Sequence, residues 1–120
     1  QYTTVSAPRA KAHDDVYVHH PIPDSNGNVQ VGLVNDRLGL GLKWSFPLRE
    51  IPILNQWQHF HNGTYVTGVE PGNCSVLGRA WNRKNRSLEY LEPGQTRDFH
   101  LEMGVLDGEK EIRAFERAHS

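Results

Sequence analysis

The sequence predicts an antiparallel all-β fold in the form of a β-sandwich. Apolar residues occupy every second position in several short segments, which is the period of a half-buried strand. Turn-forming Pro, Gly, Asn and Asp residues separate these segments at short intervals, and no clear helical period occurs in the first 75 residues. Strands that follow one another across short turns pair in antiparallel fashion and pack as sandwiches or barrels.

Three strands are predicted before the middle of the chain. Asp15–His20 is the first, and Pro21 ends it because proline cannot donate to a strand ladder. Val29–Leu33 alternates apolar residues with Gln and Gly, so we expect it to be half-buried. Leu38–Phe46 has the most regular alternation, with large residues on one face and mainly Gly, Lys and Ser on the other. We expect the bulky face to pack the core and the small face to admit a close neighbour.

The segment Ile53–Cys74 is predicted to be a β-hairpin around which the chain is organised. Asn62-Gly63 lies at its centre, and this dipeptide suits the positive φ values of a type I′ turn. The second strand carries one acid, Glu70, immediately before Pro71-Gly72. An acid at the point where a strand opens into a loop is well placed for chemistry. The structural alternative is that Glu70 begins a loop and points at water.

The second half of the chain adds shorter elements. Val76–Asn85 can contain one helical turn, and Leu88–Leu91 is a short strand candidate. Thr96–Val105 alternates Phe, Leu, Met and Val with mostly polar residues, which predicts a further strand. The domain prediction is therefore an extended lead-in over 1–12, an antiparallel β domain over 13–108, and a charged tail or short helix over 109–120.

Length and composition restrict the protein class. A chain of 120 residues with a formal charge of −1 forms at most one domain and lacks the basic surface of a nucleic-acid binder. It has no apolar run of the roughly 20 residues that a membrane span needs. Because Cys74 is the single cysteine and no signal-like segment is present, we expect a cytoplasmic protein without a membrane partner, and we expect Cys74 to be buried. We expect no cofactor, because the sequence contains no phosphate-binding loop. Since the chain starts at Gln1, we expect a processed or partial product.

Side-chain alternation places Glu70 on the same strand face as Gly68, which leaves space beside the carboxylate. In the partner strand, Trp57 shares its face with an amide and two imidazoles, those of Asn55, His59 and His61. Such a combination is typical of a sugar site, because sugar CH groups stack on the indole and hydroxyls take directional hydrogen bonds. The alternative is that Trp57 is a core side chain.

Two histidines on one strand also raise the question of a metal. His59 and His61 have a metal-ligand spacing, and a cupin would add a nearby Glu and a later His, for which the chain offers Glu70 and His100. The Glu follows nine residues after His61, across a hairpin turn, so the cupin spacing is not met. We predict no metal site and keep a cupin-like metal-binding β domain as an alternative.

Four short segments resemble the C-terminal part of aldose 1-epimerase-like proteins of the galactose mutarotase superfamily: Gln56-Trp57, Tyr65–Cys74, Gly78-Arg79 and Leu91–Gly94. The resemblance extends from about residue 15 to about residue 115. It implies the C-terminal portion of a galactose-mutarotase-like antiparallel β-supersandwich that binds a monosaccharide or sugar derivative in an open groove.

The resemblance also implies residue roles. The family's general base is a strand-end glutamate that takes the proton of the anomeric hydroxyl, and Glu70 stands at the matching position. With Trp57 as a stacking platform, we expect the further substrate contacts to come from Gln56, Asn73 and Arg79.

Members of the family are more than twice as long as this chain. Their general-acid histidine comes from an N-terminal part that has no counterpart here, and none of the seven histidines takes that role by motif. We therefore expect an aldose 1-epimerase-like isomerase only if the missing part is supplied, with a complementary chain or a homo-oligomer completing the sheet. The alternative is a non-catalytic sugar-binding or assembly module.

Overall fold

The computed structural model describes residues 2–119. Within that range the chain forms, in order, β1 (Asp15–His19), β2 (Asn28–Asn35), β3 (Leu40–Pro47), β4 (Ile53–His61), β5 (Thr64–Gly72), α1 (Arg79–Lys84), β6 (Glu102–Asp107) and α2 (Glu109–Ala118). The strands make two three-stranded sheets with the orders β1-β4-β5 and β2-β3-β6. Neighbouring strands in both sheets are antiparallel, which confirms the predicted fold class.

The described residues separate into two compact units. The first comprises the described part of Gln1–Pro21 together with Ile51–Arg97, and it holds the sheet β1-β4-β5. The second comprises Ile22–Glu50 and the described part of Asp98–Ser120, and it holds β2-β3-β6 and α2. Each unit therefore takes its sheet from two separate stretches of sequence.

In the first unit, β4 is the central strand and pairs with β1 on one side and β5 on the other. The predicted β4–β5 hairpin is confirmed, but among the described residues of the turn only Gly63 has a positive φ, so the type I′ geometry is not formed. The backbone of Arg9, which lies before β1, makes two hydrogen bonds beside this turn. Its N–H donates to the Phe60 carbonyl and its carbonyl accepts from the Asn62 N–H, both at 2.9 Å.

In the second unit, β3 lies between β2 and β6. Val29 and Phe46 are buried as a cross-strand pair on one sheet face. Helix α2 packs on the other face, where Ile112 is 1% exposed and the Phe115 ring lies 2.5 Å from the position that a Cβ of Gly32 would take. The small face of the sheet thus admits a close neighbour, as the alternation with glycine predicts. The bulky face packs the core only in part, because Trp44 is buried like Phe46 whereas Leu40 and Leu42 are exposed.

The strand β3 begins at Leu40 and not at Leu38 as predicted. The Leu38 N–H donates to both the backbone and the side-chain oxygen of Asn35, at 3.1 Å each. An asparagine that bonds the backbone in this way favours a turn over the continuation of a strand. The chain therefore turns before the apolar alternation can join the ladder.

The strand β6 begins at Glu102, well after the predicted start at Thr96. The Glu50 carboxylate accepts from the His100 N–H at 2.9 Å and contacts His100 Nδ1 at 2.8 Å. A backbone N–H that is bonded to a carboxylate is not available for strand pairing. The sequence before residue 102 does alternate apolar residues, but the His100 N–H binds the Glu50 carboxylate and not a neighbouring strand.

The predicted strand Leu88–Leu91 is not formed. Side-chain contacts of Glu89 and a turn after it hold this segment instead. Glu89 forms an ion pair with Arg97 and accepts from Asn73 Nδ2 at 3.3 Å. The following turn is closed by the Gln95 N–H, which donates to the Glu92 carbonyl at 2.9 Å.

The helical turn predicted within Val76–Asn85 is confirmed as α1. Asn82 anchors it: this side chain is 4% exposed, donates to the Gly78 carbonyl at 2.8 Å, and accepts from the hydroxyls of Ser75 and Ser87 at 3.1 and 2.9 Å. A buried amide with all these partners stabilises the loop that follows β5. Neither helix of the described chain is long and apolar enough to cross a bilayer.

Candidate functional site

One face of the sheet in the first unit carries Glu70 and several other candidate residues. Glu70 pairs directly with Asn55 across the β4–β5 hairpin, and two positions earlier Gly68 pairs with Trp57. Directly opposed residues of an antiparallel pair point to the same side of the sheet. This side, called the Glu70 face below, includes Val16, Val18, Asn55, Trp57, His59, His61, Thr64, Val66, Gly68 and Glu70.

The Glu70 side chain is exposed and folds back over Gly68. A Cβ built on Gly68 would collide with Glu70 Oε1. The space that Gly68 was expected to leave beside the carboxylate is therefore not open, since the Glu70 carboxylate itself occupies it. The glycine brings the acid inward along the strand, to the position directly opposite Trp57.

Asp14 connects two of the aromatic side chains on this face. Its Oδ1 accepts from Trp57 Nε1 at 3.1 Å and lies 2.6 Å from His59 Nδ1. The hydrogen bond from the Trp57 indole, followed by that from His59, lowers the pKa of the Asp14 carboxyl below its ordinary value. The carboxylate form of Asp14 thus fixes the indole and the imidazole, whose ring centroids are 6.2 Å apart. Trp57 is half-buried rather than a core side chain.

Asn55 lies on this face, as the alternation predicts, but nothing in the sequence indicates its burial beside Glu70. Its side chain is 6% exposed and lies opposite Glu70, with Nδ2 donating to the Cys74 carbonyl at 3.3 Å. Its Oδ1 is buried and has no hydrogen-bond partner among the described residues. The strand alternation placed Asn55 on this face, but burial next to an acid depends on packing that no local pattern encodes.

Gln56 lies on the opposite face of the sheet from Glu70. It pairs with Tyr17 and Val69, its Oε1 lies 3.0 Å from His19 Nε2, and its Nε2 donates to the Tyr2 carbonyl at 2.9 Å. The predicted substrate contact therefore does not join Trp57 and Glu70, because neighbouring residues of a strand point to opposite sides.

Asn73 and Arg79 follow β5 in the loop and at the first position of α1. Asn73 is half-buried and uses its amide to bind Glu89, whereas Arg79 is exposed. Both therefore belong to the segment after Glu70 and not to the sheet face itself. Cys74, between them, is exposed, so the expectation of a buried thiol is wrong.

The histidines of the metal alternative have other partners. His59 Nδ1 contacts Asp14, and His61 Nδ1 lies 2.7 Å from the Asn62 carbonyl oxygen. His100 belongs to the second unit and contacts Glu50. Across residues 2–119, no three His, Cys, Asp or Glu side chains are grouped so that they could hold a metal ion.

A family model described as a domain of unknown function, DUF4432, matches residues 1–105 of the chain. The chain belongs to the DUF4432 family. No curated protein matches it significantly.

A solved structure shares the fold of this DUF4432 chain. It is described as "a putative aldose 1-epimerase from Klebsiella pneumoniae subsp. pneumoniae MGH 78578", and the two chains are 26% identical with a TM-score of 0.88. The match covers 96% of the DUF4432 chain and 30% of the Klebsiella chain. The DUF4432 chain therefore has an aldose 1-epimerase-like antiparallel β fold and spans about a third of the length of that neighbour.

Proposed function

We propose that this DUF4432 chain is the C-terminal part of an aldose 1-epimerase-like protein, and that it supplies the carboxylate base for interconverting the anomers of a monosaccharide. The likeness to the Klebsiella protein supports the fold side of this proposal. The observation that carries it is the place of Glu70: the carboxylate is exposed, folded over Gly68, and opposite a half-buried tryptophan.

As its base, the reaction requires only an ionised carboxylate that the sugar can reach. An exposed carboxylate accepts the proton of the anomeric hydroxyl and a C=O bond forms at the anomeric carbon. The bond from this carbon to the ring oxygen breaks, and the ring oxygen takes a proton from a general acid outside this chain or from water. The reverse steps on either face of the carbonyl close the ring. Trp57 offers an indole against which the CH groups of a pyranose stack, and its ring is already fixed by Asp14. Asn73 and Arg79, in the segment after β5, are proposed to contact hydroxyls at the rim of the site.

The test is anomer exchange of free aldohexoses, followed by polarimetry or exchange NMR. It is measured on this chain and on a longer polypeptide that restores the remainder of a 1-epimerase-like protein. Glu70→Gln keeps the shape and removes the base, so the catalysed rate is expected to fall about 10²–10⁴-fold. Glu92→Gln, a change at another exposed acid of the same unit, is the matched control and is expected to leave the rate unchanged. Equal rates for Glu70→Gln and the parent would remove the assignment.

A second candidate, a non-catalytic sugar-binding or assembly module, is favoured by one surface of the second unit. A row of apolar side chains on β3 and β6 is exposed between 42% and 65%: Leu40, Leu42, Met103 and Val105. Apolar side chains clustered in this way mark contact surfaces. The proposed partner is a complementary chain that supplies the rest of a sugar-binding scaffold.

Sedimentation equilibrium separates the two candidates. If assembly is the function, the chain is stable only in a complex, and a Leu42→Lys/Val105→Lys double variant abolishes the complex. A monomer that is folded and catalyses exchange with a Glu70-dependent rate would contradict the assembly candidate.

A further inference from the structure

The segment that follows β5 carries a local excess of positive charge. Four of the chain's 13 Lys and Arg residues lie within residues 79–86, where there is no acid, although the whole chain has a formal charge of −1. They are Arg79, Arg83, Lys84 and Arg86, and all four are exposed. Among residues 2–119, none of these side chains has a hydrogen-bond or ion-pair partner. The segment therefore presents uncompensated charge that attracts an anion.

The fold does not explain why two of these cations lie on one side of α1. Arg79 is the first residue of the helix, where the helix dipole disfavours a cation, and the first turn holds no acid to offset it. Arg83 lies one turn further along the same side, so the two like charges also repel each other. A neutral residue at position 79 would stabilise the helix more.

Arg86 ends the helix in a conformation that usually belongs to glycine. Its φ is 57°, the one positive value among the non-glycine residues of 2–119. The Arg86 N–H donates to the Arg83 carbonyl at 3.3 Å, and the Ser87 N–H donates to the Asn82 carbonyl at 2.9 Å. These bonds form a Schellman motif, in which the left-handed residue is usually glycine and sometimes asparagine. Departures from local preference of this kind are expected at functional sites.

Two side-chain hydrogen bonds connect α1 to the strand pair that holds Glu70. Glu70 lies directly opposite Asn55, whose Nδ2 donates to the Cys74 carbonyl at 3.3 Å. The next residue, Ser75, donates its hydroxyl to Oδ1 of the buried Asn82 in α1 at 3.1 Å. The arginines of α1 are therefore held beside the end of β5, in the same unit as the proposed base.

An anionic sugar fits a carboxylate and a group of cations placed in this way. In a pyranose, the anomeric hydroxyl on C1 and a charged group at C6 lie on either side of the ring oxygen. When the anomeric hydroxyl of such a sugar meets Glu70, the carboxylate repels the negative charge of the sugar. Guanidinium groups at a separate position offset this repulsion, since they bind phosphate or carboxylate oxygens through pairs of N–H groups. A neutral hexose makes no use of these charges.

We propose that the sugar bound at the Glu70 face is anionic, and that Arg79 and Arg83 bind a phosphate or carboxylate that it carries away from the anomeric carbon; this inference rests on the proposed function. Arg86 adds to the positive potential at the end of the helix. The contact proposed above between Arg79 and a hydroxyl thereby becomes a contact with the charged group. Hexose 6-phosphates and hexuronates share this chemistry and differ in the size and charge of the group.

The test compares D-glucose 6-phosphate, D-glucuronate and D-glucose in anomer exchange by NMR and in direct binding by calorimetry. Both are measured on this chain and on the longer polypeptide that restores the remainder of a 1-epimerase-like protein. The parent is expected to bind one of the anionic sugars at least about tenfold more tightly than D-glucose. Added salt is expected to reduce this preference, because it screens exposed charges. Preference for D-glucose 6-phosphate assigns a phosphate to the site, and preference for D-glucuronate assigns a carboxylate.

The variant Arg79→Gln/Arg83→Gln removes both charges and keeps residues that favour a helix. The preference for the anionic sugar over D-glucose is expected to disappear in this variant. Lys84→Gln, on a different side of α1, is the matched control and is expected to keep the preference. Urea denaturation is expected to show no loss of stability in the double variant, since the charges that it removes repel each other.

The outcomes separate this inference from the proposed function. Equal preference in the parent and the double variant overturns the anionic-sugar inference, even when D-glucose shows Glu70-dependent exchange. A parent that binds neither anionic sugar more tightly than D-glucose overturns it as well. Arginine-dependent binding of an anionic sugar without Glu70-dependent exchange supports the anion site and overturns the catalytic proposal. If the double variant does not fold, the same ratio measured on Arg83→Gln decides.

Discussion

Because Gly68 has no side chain, the side chain of Glu70 can fold back over the strand. The Glu70 carboxylate takes the volume that any side chain at position 68 would need. The role of this glycine is steric rather than conformational, because Gly68 is not among the glycines with positive φ. A strand residue other than glycine would therefore be tolerated by the backbone but not by the carboxylate.

Gly68→Ala is accordingly expected to move the Glu70 carboxylate off the strand and to lower the rate of anomer exchange, while stability changes by only about 0.5 kcal/mol. The colliding atom is the end of a flexible side chain, so it can move without disturbing the sheet. Gly72→Ala is the control on the same strand, because a Cβ there meets only the Cys74 carbonyl oxygen at 3.9 Å. Chemical denaturation and exchange NMR give the two readouts, and a Gly68→Ala variant with the parent rate would contradict this account.

At the scale of elements, the contact between β2 and α2 depends on another glycine. The Phe115 ring lies 2.5 and 3.0 Å, at Cε1 and Cζ, from the position of a Cβ on Gly32. Helix α2 is further held by the buried Ile112. The helix can lie flat on the sheet only because one residue beneath it has no side chain.

Gly32→Ala is expected to destabilise the second unit by about 1–3 kcal/mol, since it overpacks the seam between strand and helix. Phe115→Leu in the same chain shortens the ring and should recover part of the loss. A double-mutant cycle by urea denaturation measures the coupling. If the two substitutions change the free energy of unfolding additively, the contact between Gly32 and Phe115 is not the cause of the destabilisation.

The elements also show what a sequence pattern can and cannot predict. The β4–β5 hairpin, β2 and the body of β3 follow from alternation and turn residues, because both signals are local. The start of β6 does not, since the His100 N–H donates to Glu50, which lies 50 residues away in the sequence. At the site, alternation places Glu70, Trp57 and His59 on one face, but the contacts of Asp14 with two of them are tertiary and leave no trace in spacing. The same alternation places Gln56 on the opposite face.

At the scale of the whole molecule, folding lowers the pKa of a carboxyl group in each unit, as seen for Asp14 and Glu50 among residues 2–119. Asp14 in the first unit is bonded by Trp57 and His59, and Glu50 in the second is bonded chiefly by His100, at the side chain and then at the backbone. A carboxyl whose folded pKa is below its ordinary value stabilises the fold at higher pH, where it is ionised in both states. That contribution disappears as the pH falls through the ordinary value and then the lowered one.

Both units are therefore expected to lose stability in acid. In Glu50→Gln the neutral amide makes the second unit less dependent on pH, so the stability difference from the parent shrinks below the ordinary carboxyl value of 4.5. Glu102→Gln, an exposed acid on β6, serves as the control. Denaturation midpoints measured at neutral and acidic pH test this, and a constant gap between parent and Glu50→Gln across that range would contradict the role of Glu50.

The interleaving of the two units has a consequence for synthesis on the ribosome. The strand β1 pairs with β4 and is made before it, so Asp15 has no strand partner until Gln58 has been added. At translation rates of about 5–20 residues per second, that wait lasts on the order of 2–9 seconds. Meanwhile the β2–β3 pair is complete but lacks β6 and α2, which are made only after β4, β5 and α1. Neither unit can therefore be completed before translation has moved on to residues of the other, and the edge of β3 that pairs with β6 stays unpaired until β6 is made.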